Sequence, residues 1–340
     1  MSNAMISYAQ NFEDVLLNRC FDGQQQGYYI DIGAGHPIQD SVTYWFYRRG
    51  WTGINVDASE LMFNALSRYR RRDINERAVV LSQSSAVTFY DSGLSGLSSI
   101  SSKLSEISRA RGFGVSSTVM RSRTLTSICE QHKVDSIDFL KIDVEGAELE
   151  VINGMNFDRW RPRVVVIEAV DPVSAVYCNA DVAAAMSQLS FKRVYFDGLN
   201  DYFVRLESIE LERHFGTPVN IFDGFIRWRD LSPSVAASLP DASAFRDGFS
   251  LRMRRAWASI SIEDEVRMEL EQWGITSAGD VLTAEDVIRT YREVLCRIPS
   301  DAEVESWLSF PTAAEGPKAL LQALLSSHEY CQKVLEFGGV

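Results

Sequence analysis

Two glycines that closely follow an aspartate are the first residues of this sequence whose types and spacing could do chemistry. Asp31 lies in an apolar segment that predicts a short buried strand, and Gly33 and Gly35 follow it. Glycine allows the backbone to turn tightly and to approach a ligand closely. A helix predicted over residues 41–49 would direct its N-terminal amides and positive dipole end at this turn. A nucleotide-like cofactor can therefore sit at the turn. A buried carboxylate is costly without a partner, and receiving the amine of an amino-acid cofactor would be one reason for Asp31 to lie there.

Further carboxylates follow other apolar segments of the sequence. Asp57 ends a second segment, at the spacing from the glycine turn that is usual for an acid that binds ribose hydroxyls. Asp143 with Glu145, and then Glu168, follow two more segments. Each acid alone is compatible with a helix cap or a surface charge. In an open α/β sheet, however, ligands bind at the carboxyl ends of the strands, so the acids and the glycine turn together predict a binding site.

These residues need a sheet whose strands alternate with helices, and the hydrophobic pattern predicts one. Short apolar runs indicate strands, and the segments between them show the helical period. The predicted strands are 28–32, 53–57, 75–80, 86–90, 137–143, 164–168, 193–196 and 202–204. The predicted helices are 12–20, 41–49, 60–69, 125–132, 147–153 and 181–189. The fold class is therefore α/β, with a doubly wound, mostly parallel, Rossmann-like sheet that ends in an antiparallel hairpin.

The composition changes near residue 231, where Ser, Ala and Pro become frequent and only helical patterns follow. We therefore predict an α/β domain over residues 5–230, a linker or bracing helical segment over 231–278 and an all-α accessory domain over 279–340. The accessory domain would contain three helices, at 283–295, 301–308 and 319–335. Within the α/β domain, residues 91–120 are rich in Ser and Gly. They predict a long loop, either a functional lid or a disordered insertion.

Composition and charge limit the classes of function. The chain of 340 residues has a formal net charge of −12, which argues against broad binding to nucleic acid. The basic run at 68–72 is either a solvated helix end or a contact to an anionic substrate or membrane surface. No apolar run approaches the length of a membrane span, so no integral membrane segment is expected. The polar N-terminus predicts no secretory signal. Five scattered cysteines without metal-ligand spacing indicate reduced thiols and a cytoplasmic location.

The glycine turn lacks the third glycine of the dinucleotide fingerprint, since His36 follows Gly35. This disfavours a nicotinamide cofactor. Over residues 6–230 the chain instead resembles the FkbM-type S-adenosylmethionine-dependent methyltransferases. The most specific shared element is Lys-Ile-Asp-Val-Glu-Gly. The matching segments are 7–14 (SYAQNFED), 29–35 (YIDIGAG), 40–43 (DSVT), 48–57 (RRGWTGINVD), 139–148 (FLKIDVEGAE) and 195–200 (YFDGLN).

The resemblance implies a role for each polar element of the site. Asp31, Gly33 and Gly35 would hold the methionine part of S-adenosylmethionine, and Asp57 would hold the ribose hydroxyls. Where many members have Glu-Pro, this chain has Asp57 and Ala58, so the shorter acid needs a water or a small shift to reach the ribose. The implied cofactor contacts also include Ala58 after the acid, Asn75 and Ala78 beside the adenine, Asp143 near the sulfonium, and Gln10 and Glu13 from an N-terminal helix that closes over the cofactor.

The implied reaction is O-methylation, in which a hydroxyl attacks the sulfonium methyl in line. Positioning and desolvation supply most of the acceleration, and a general base helps by taking the hydroxyl proton. The candidate bases are His36, Asp143, Glu145 and Glu168. His36 is alternatively a residue that packs at a helix start. A divalent metal held by Asp143, Glu168 and Asp197 is a second possibility, which we do not favour because the spacing is not diagnostic.

The C-terminal part resembles a small helical domain of unknown function in bacterial surface and glycan-related proteins. The matching segments are 291–299 (YREVLCRIP) and 326–330 (SSHEY). Together the two resemblances imply a saccharide or other hydroxyl-bearing acceptor in a polysaccharide or glycolipid precursor, and a protein partner for the C-terminal helices. Two other hypotheses stay open. One is a cofactor-binding scaffold without catalysis, and the other is a nicotinamide-dependent oxidoreductase.

Overall fold

The computed structural model describes residues 5–92, 98–110, 114–174, 176–230 and 301–309, together with residues 283, 287 and 320. The chain divides into two compact units, Met1–Leu231 and Ser232–Val340. The predicted helix at 301–308 is present as Asp301–Ser309. The predicted linker and the other two predicted helices of the accessory domain lie outside the described residues, apart from the three single positions. The division into three parts therefore stays a prediction.

The first unit alternates strands and helices along the chain. Its strands are β1 Met5–Ser7, β2 Tyr28–Ile32, β3 Thr52–Asp57, β4 Ile74–Arg77, β5 Ala86–Asp91, β6 Ser116–Arg121, β7 Phe139–Ile142, β8 Val164–Glu168, β9 Phe191–Phe196, β10 Asn200–Arg205 and β11 Phe225–Arg227. Its α-helices are α1 Glu13–Cys20, α2 Tyr44–Arg48, α3 Glu60–Tyr69, α4 Ser102–Ala110, α5 Leu125–Gln131, α6 Glu148–Asn153 and α7 Ala180–Gln188. Within the described part of the chain, every helix is too short or too polar to span a lipid bilayer.

The central sheet has seven strands in the order β4-β3-β2-β7-β8-β10-β9. The first five run parallel, and β10 runs antiparallel to both β8 and β9. The prediction of a mostly parallel α/β sheet closed by an antiparallel hairpin is therefore confirmed. The chain order changes direction between β2 and β7, which lie side by side. Such a switch point is where open α/β sheets bind their ligands.

Alternate residues of the central strands pack on opposite faces of the sheet. Ile30 of β2 and Leu140 of β7 are fully buried in a cluster with side chains of α5, α6 and α7. Tyr29 and Phe139, their neighbours in sequence, stack on the other face with ring centroids 5.6 Å apart. Burying a large apolar side chain stabilises the fold by roughly 1.5–3 kcal/mol. Both faces of β2 and β7 are thus covered, and only the strand ends remain for a ligand.

The helix after the glycine turn differs from the prediction of residues 41–49. Only Tyr44–Arg48 is helical, and residues 36–43 follow a non-helical path. Thr43 precedes the helix, but its hydroxyl donates to Asp31 Oδ2 (3.1 Å) and makes no capping hydrogen bond. The helix therefore begins three residues later than predicted, and the prediction that its N-terminal amides point at the turn stays untested.

The segment 91–120 is not the long loop that its composition predicted. It contains α4, and its end forms β6, which pairs antiparallel with β5 in a separate two-stranded sheet. The strand predicted at 86–90 is present as β5, but it lies outside the central sheet. The buried face of α4 includes Ser105 and Ser108 beside Leu104. The sequence did not predict α4 because these small polar residues interrupt the apolar periodicity by which a helix is identified.

Candidate active site

The glycine turn lies at the carboxyl end of β2 and is held by its neighbours. Gly33 and Ala34 both donate their backbone N–H groups to the Val56 carbonyl, at 2.9 and 3.1 Å. Gly33 has φ +75°, and a Cβ there would lie 1.7 Å from the carbonyl oxygen of Asp143. Gly35 has φ +61° and nothing within 4 Å of the place that a Cβ would occupy. The first glycine is thus required by close packing, and the second leaves open space above the turn.

Asp57, at the end of β3, faces this turn. Its Oδ2 accepts a hydrogen bond from Gly35 N (2.8 Å), and its Oδ1 accepts one from Ser59 N (2.9 Å). Partial burial raises the pKa of Asp57 to about 6, and the two backbone donors act in the opposite direction. Each oxygen keeps a second lone pair for a ligand hydroxyl. The structure places Asp57 where the sequence predicted a ribose-binding acid, while the ribose contact itself stays a prediction.

Asp31 lies in β2 with only 1% of its surface exposed. Its Oδ2 accepts the Thr43 hydroxyl, whereas its buried Oδ1 has no hydrogen-bond partner. Oδ1 lies 3.6 Å from the Lys141 ammonium. Burial raises the pKa of Asp31, and the positive charges of Lys141 and Arg70 oppose this rise. A buried oxygen without a hydrogen bond beside an open glycine turn fits a ligand that brings an amine.

Lys141 was missed as a site residue in the sequence, although it lies in the most specific motif. It is 9% exposed. Its ammonium donates to the Gly33 carbonyl (3.0 Å) and lies 3.1 Å from Asp143 Oδ2. Burial lowers the pKa of Lys141, but the carboxylates of Asp143 and Asp31 raise it by more. The signal that could have found it is a charged residue inside an apolar strand, the same argument that singled out Asp31.

The predicted acids at the ends of β7 and β8 come together in space. Oxygens of Asp143, Glu145 and Glu168 all lie within 4.8 Å of one another, and we call these three residues the acid cluster. Burial raises the pKa of Glu145 and of Glu168, and the negative charges of the neighbouring acids raise both further. One Glu145 oxygen, Oε2, is buried without a hydrogen-bond partner. The acid cluster can therefore retain a proton at neutral pH, or accept one from a ligand.

The same three acids could hold a cation through oxygen ligands. Asp197, the third metal ligand considered from the sequence, is not among them. Its Oδ1 accepts from Leu199 N (2.8 Å) and Asn200 N (2.6 Å), and its Oδ2 accepts from the Tyr202 hydroxyl (2.7 Å). Asp197 therefore closes the β9–β10 turn, and the interpretation of it as a metal ligand is wrong.

The N-terminal segment contacts the closing hairpin. Glu13 is 4% exposed, and its carboxyl accepts from Asn200 Nδ2 (2.9 Å) and from Asn11 N (2.8 Å). Burial, together with the nearby charge of Asp197, raises the pKa of Glu13 to about 8. Gln10 is exposed. The structure thus gives Glu13 a role in joining α1 to β10, and the predicted cofactor contacts of Gln10 and Glu13 stay untested.

His36 is buried beside the glycine turn, but its ring accepts hydrogen bonds from backbone amides. Nδ1 accepts hydrogen bonds from Ile38 N (3.1 Å) and Gln39 N (2.8 Å). Burial lowers the pKa of His36 to about 3. With Nδ1 engaged by two amides and the ring neutral, this geometry opposes the candidate role as general base. It agrees with the alternative considered from the sequence, in which His36 packs to shape the chain after the turn.

Asn75 and Ala78, the two residues expected beside the adenine, have different surroundings in the structure. Asn75 lies inside β4, where its side chain bonds to Asn55 Nδ2 (3.0 Å) and to the Arg70 carbonyl (3.1 Å). Its side-chain amide is therefore already engaged within the sheet, and its predicted place beside the adenine stays untested. Ala78 donates its N–H to the Asp57 carbonyl (3.2 Å) and so lies at the correct edge. Ala58 is partly buried after Asp57. The cofactor contacts of Ala58 and Ala78 stay predictions.

Arg70, one arginine of the basic run at 68–72, is buried and hydrogen-bonds to residues near the site. Arg70 is fully buried and forms an ion pair with Asp73 (3.0 Å). Its guanidinium also donates to the Pro37 carbonyl (3.0 Å), the Tyr29 hydroxyl (2.8 Å) and the Thr43 hydroxyl (3.0 Å). Neither a solvated helix end nor a surface contact describes this residue. Because Thr43 in turn bonds Asp31, Arg70 helps to orient the carboxylate of the site.

Comparison with known proteins adds an independent result. Residues 31–193 match the family model described as the methyltransferase FkbM domain. This stretch begins at Asp31 and includes the glycine turn, Asp57 and the acid cluster. A comparison with curated proteins finds no match to the chain.

Proposed function

We propose that this chain is a methyltransferase that transfers the methyl group of S-adenosylmethionine to a hydroxyl. Residues 31–193 match the methyltransferase FkbM domain, as the sequence motifs predicted. The observation that carries this proposal is the buried Oδ1 of Asp31, which lacks a hydrogen-bond partner beside the open glycine turn. Asp57 faces the same turn from β3. An amine-binding acid and a ribose-binding acid on either side of one glycine turn suit an adenosylated amino acid.

The donor would be held by Asp31, Gly33 and Gly35 at its methionine end and by Asp57 at its ribose. Ala58 and Ala78 would border the adenine. Ala58 directly follows Asp57 at the end of β3, and Ala78 donates its N–H to the Asp57 carbonyl. When bound, S-adenosylmethionine supplies an electrophilic methyl group on a sulfonium. The chain's own residues then have to orient the acceptor and remove a proton from it.

We assign proton removal to the acid cluster. In the transfer, the methyl–sulfur bond breaks, the methyl–oxygen bond forms, and the acceptor hydroxyl gives its proton to a carboxylate of Asp143, Glu145 or Glu168. Oxygens of the three acids lie within 4.8 Å of one another, so their titrations are coupled and a proton received by one can pass to another. Positioning the hydroxyl in line and excluding water supply the larger part of the acceleration. No resident metal is needed for this scheme.

The acceptor that we propose is a sugar hydroxyl in a polysaccharide or glycolipid precursor, and the enzyme would act in the cytoplasm. The support is the resemblance of the α/β part to FkbM-type enzymes and of the C-terminal part to helical domains of glycan-related proteins. The C-terminal helices would bind the saccharide or a partner protein.

Calorimetric titration with S-adenosylmethionine and S-adenosylhomocysteine, and with NAD as a negative control, tests the cofactor. We expect micromolar binding of both adenosyl ligands to the wild type, at least about tenfold weaker binding to Asp57→Ala, and no binding of NAD. The matched control is Asp158→Ala, which removes an exposed acid. If neither adenosyl ligand binds, with or without magnesium, the proposal is wrong.

Turnover is then tested with S-adenosylmethionine and a panel of sugar nucleotides, glycolipids and oligosaccharides, and mass spectrometry detects the added methyl group. Methylation of a saccharide would support the acceptor class. Cofactor binding without turnover on any hydroxyl acceptor would favour a non-catalytic scaffold.

A further inference from the structure

Lys141 connects the two carboxylates and the glycine turn at the switch point of the sheet. Its ammonium has three N–H donors and three oxygen neighbours. These are the Gly33 carbonyl at 3.0 Å, Asp143 Oδ2 at 3.1 Å and Asp31 Oδ1 at 3.6 Å. The neighbours belong to the glycine turn, to the end of β7 and to β2. A single buried cation therefore holds three separate parts of the proposed donor site.

The charges around Lys141 are mostly negative. The negative charges of Asp143, Asp31 and Glu13 favour the charged form of the Lys141 ammonium. The positive charge of Lys141 in turn favours the ionised forms of Asp57 and Glu145. Arg70 is a second cation that acts on Asp31, through space and through Thr43. Removal of the ammonium would thus raise the negative charge of the site by one. It would also leave the Gly33 carbonyl without this donor.

We propose that Lys141 is a positioning residue for the methyl donor: its ammonium fixes the Gly33 carbonyl and the carboxylates of Asp31 and Asp143, and offsets part of their negative charge. The inference rests on the proposed function, because the positive sulfonium is the charge that these carboxylates would face. Methyl transfer to a hydroxyl removes the sulfonium charge. A site with uncompensated carboxylates would stabilise the sulfonium before reaction more than in the transition state, which slows the transfer.

The charge difference between substrate and product provides the test. S-Adenosylmethionine carries the sulfonium, whereas S-adenosylhomocysteine has a neutral thioether. Calorimetry at pH 8 should compare both ligands with the wild type, with the neutral variants Lys141→Met and Lys141→Gln, and with Lys141→Arg. The matched control is Lys192→Met, which removes an exposed lysine paired with Glu212 at 2.7 Å.

We expect both neutral variants to bind S-adenosylhomocysteine more weakly than the wild type, because the turn loses its donor. We also expect the ratio of affinities, S-adenosylmethionine over S-adenosylhomocysteine, to rise at least about threefold, since one added negative charge favours the sulfonium. Lys141→Arg keeps the charge and should keep the ratio, with weaker binding of both ligands because a planar guanidinium cannot reproduce the three contacts. Lys192→Met should match the wild type.

Unchanged affinities in the neutral variants would overturn the proposal. Equal weakening of both ligands at an unchanged ratio would overturn it too, since a purely structural lysine would act in that way. Circular dichroism shows whether the variants fold. If neither neutral variant folds, Asp143→Asn decides, because it removes one of the carboxylates that the Lys141 ammonium offsets: a fall in the ratio of affinities, S-adenosylmethionine over S-adenosylhomocysteine, supports the proposal, and an unchanged ratio contradicts it. Absence of binding to the wild type would instead mean that the proposed function itself is wrong.

Discussion

The carboxylate of Asp57 accepts a hydrogen bond from the backbone N–H of Gly35, with 2.8 Å between Oδ2 and N, across 22 positions of sequence. This contact ties the glycine turn after β2 to the end of β3. Ser59 N binds the other oxygen at 2.9 Å, so the carboxylate is oriented before any ligand arrives. Preorganised polar groups of this kind bind a ligand without a further ordering cost.

Replacement of Asp57 by Asn tests this arrangement with little change of size. The amide cannot accept from both Gly35 N and Ser59 N, because one of its two ends carries hydrogens. We expect at least about tenfold weaker binding of S-adenosylhomocysteine, measured by calorimetry. Asp158→Asn, on an exposed acid, should bind as the wild type does. Equal affinity of Asp57→Asn and wild type would contradict the assignment of Asp57 to the ribose.

Gly33 and Gly23 allow a test in which backbone strain is matched. Their φ values are +75° and +79°, but a Cβ at Gly33 would meet the Asp143 carbonyl at 1.7 Å, while nothing lies within 4 Å at Gly23. We expect Gly23→Ala to lower the free energy of unfolding by about 1–2 kcal/mol. Gly33→Ala should cost distinctly more, or abolish folding, because the backbone at the end of β7 must move. Urea unfolding measures both variants, and similar costs would show that the close approach is unimportant.

The raised pKa of Glu13 predicts a pH dependence of stability. Burial raises this pKa from 4.5 to about 8, so the folded chain keeps a proton that the unfolded chain has lost in this range. The stabilising effect of that proton is complete below pH 4.5 and is lost as the pH rises toward 8. Glu13→Gln mimics the protonated form. We therefore expect its free energy of unfolding, relative to wild type, to increase by about 1.4 kcal/mol per pH unit inside this window.

Urea unfolding at pH 5, 7 and 9 measures this difference. Glu130→Gln is the control, since the ion pair of Glu130 with Arg159 is exposed. It should show the same difference from wild type at all three pH values. A pH-independent difference for Glu13→Gln would mean that the Glu13 carboxyl is already charged at low pH.

Arg70→Met should be strongly destabilising because it leaves Asp73 and the Tyr29 hydroxyl without their buried cation. Removal of one partner of a buried ion pair costs about 3–5 kcal/mol. Arg71→Met, on the exposed neighbouring residue, should change stability by no more than about 0.5 kcal/mol. Thermal unfolding compares the two variants. If they unfold at the same temperature, the buried network does not support the site as described.

We expect the acid cluster to hold protons and no resident metal, since the adjacent Lys141 ammonium already offsets negative charge. The melting temperature measured by thermal unfolding should therefore be the same with magnesium, with manganese and with EDTA. Binding of a cation to the folded state would raise it by mass action. A rise that disappears in Glu168→Gln would contradict this expectation and would identify the cluster as a metal site.

The order of elements and the identity of the main site residues could be predicted from the sequence. Periodicity located β2, β3, β7 and β8, because buried parallel strands are short continuous apolar runs. Asp31 stood out because an acid inside such a run needs a partner, and Asp57 because it ends one. The methyltransferase FkbM motifs combined these residues into one site. Local patterns of this kind are visible in sequence because each depends on neighbours within a few residues.

Only the tertiary structure decided which polar groups are already engaged. His36, Asn75 and Asp197 have suitable chemistry, but each is bound to backbone or side-chain groups that the local sequence does not mark as its partners. Arg70 and Lys141 became important because residues distant in sequence surround them with oxygens. A buried polar group has to be satisfied by whatever the fold places beside it. The sequence by itself determined the sheet and the candidate acids, whereas packing between distant segments determined which groups remain for a ligand.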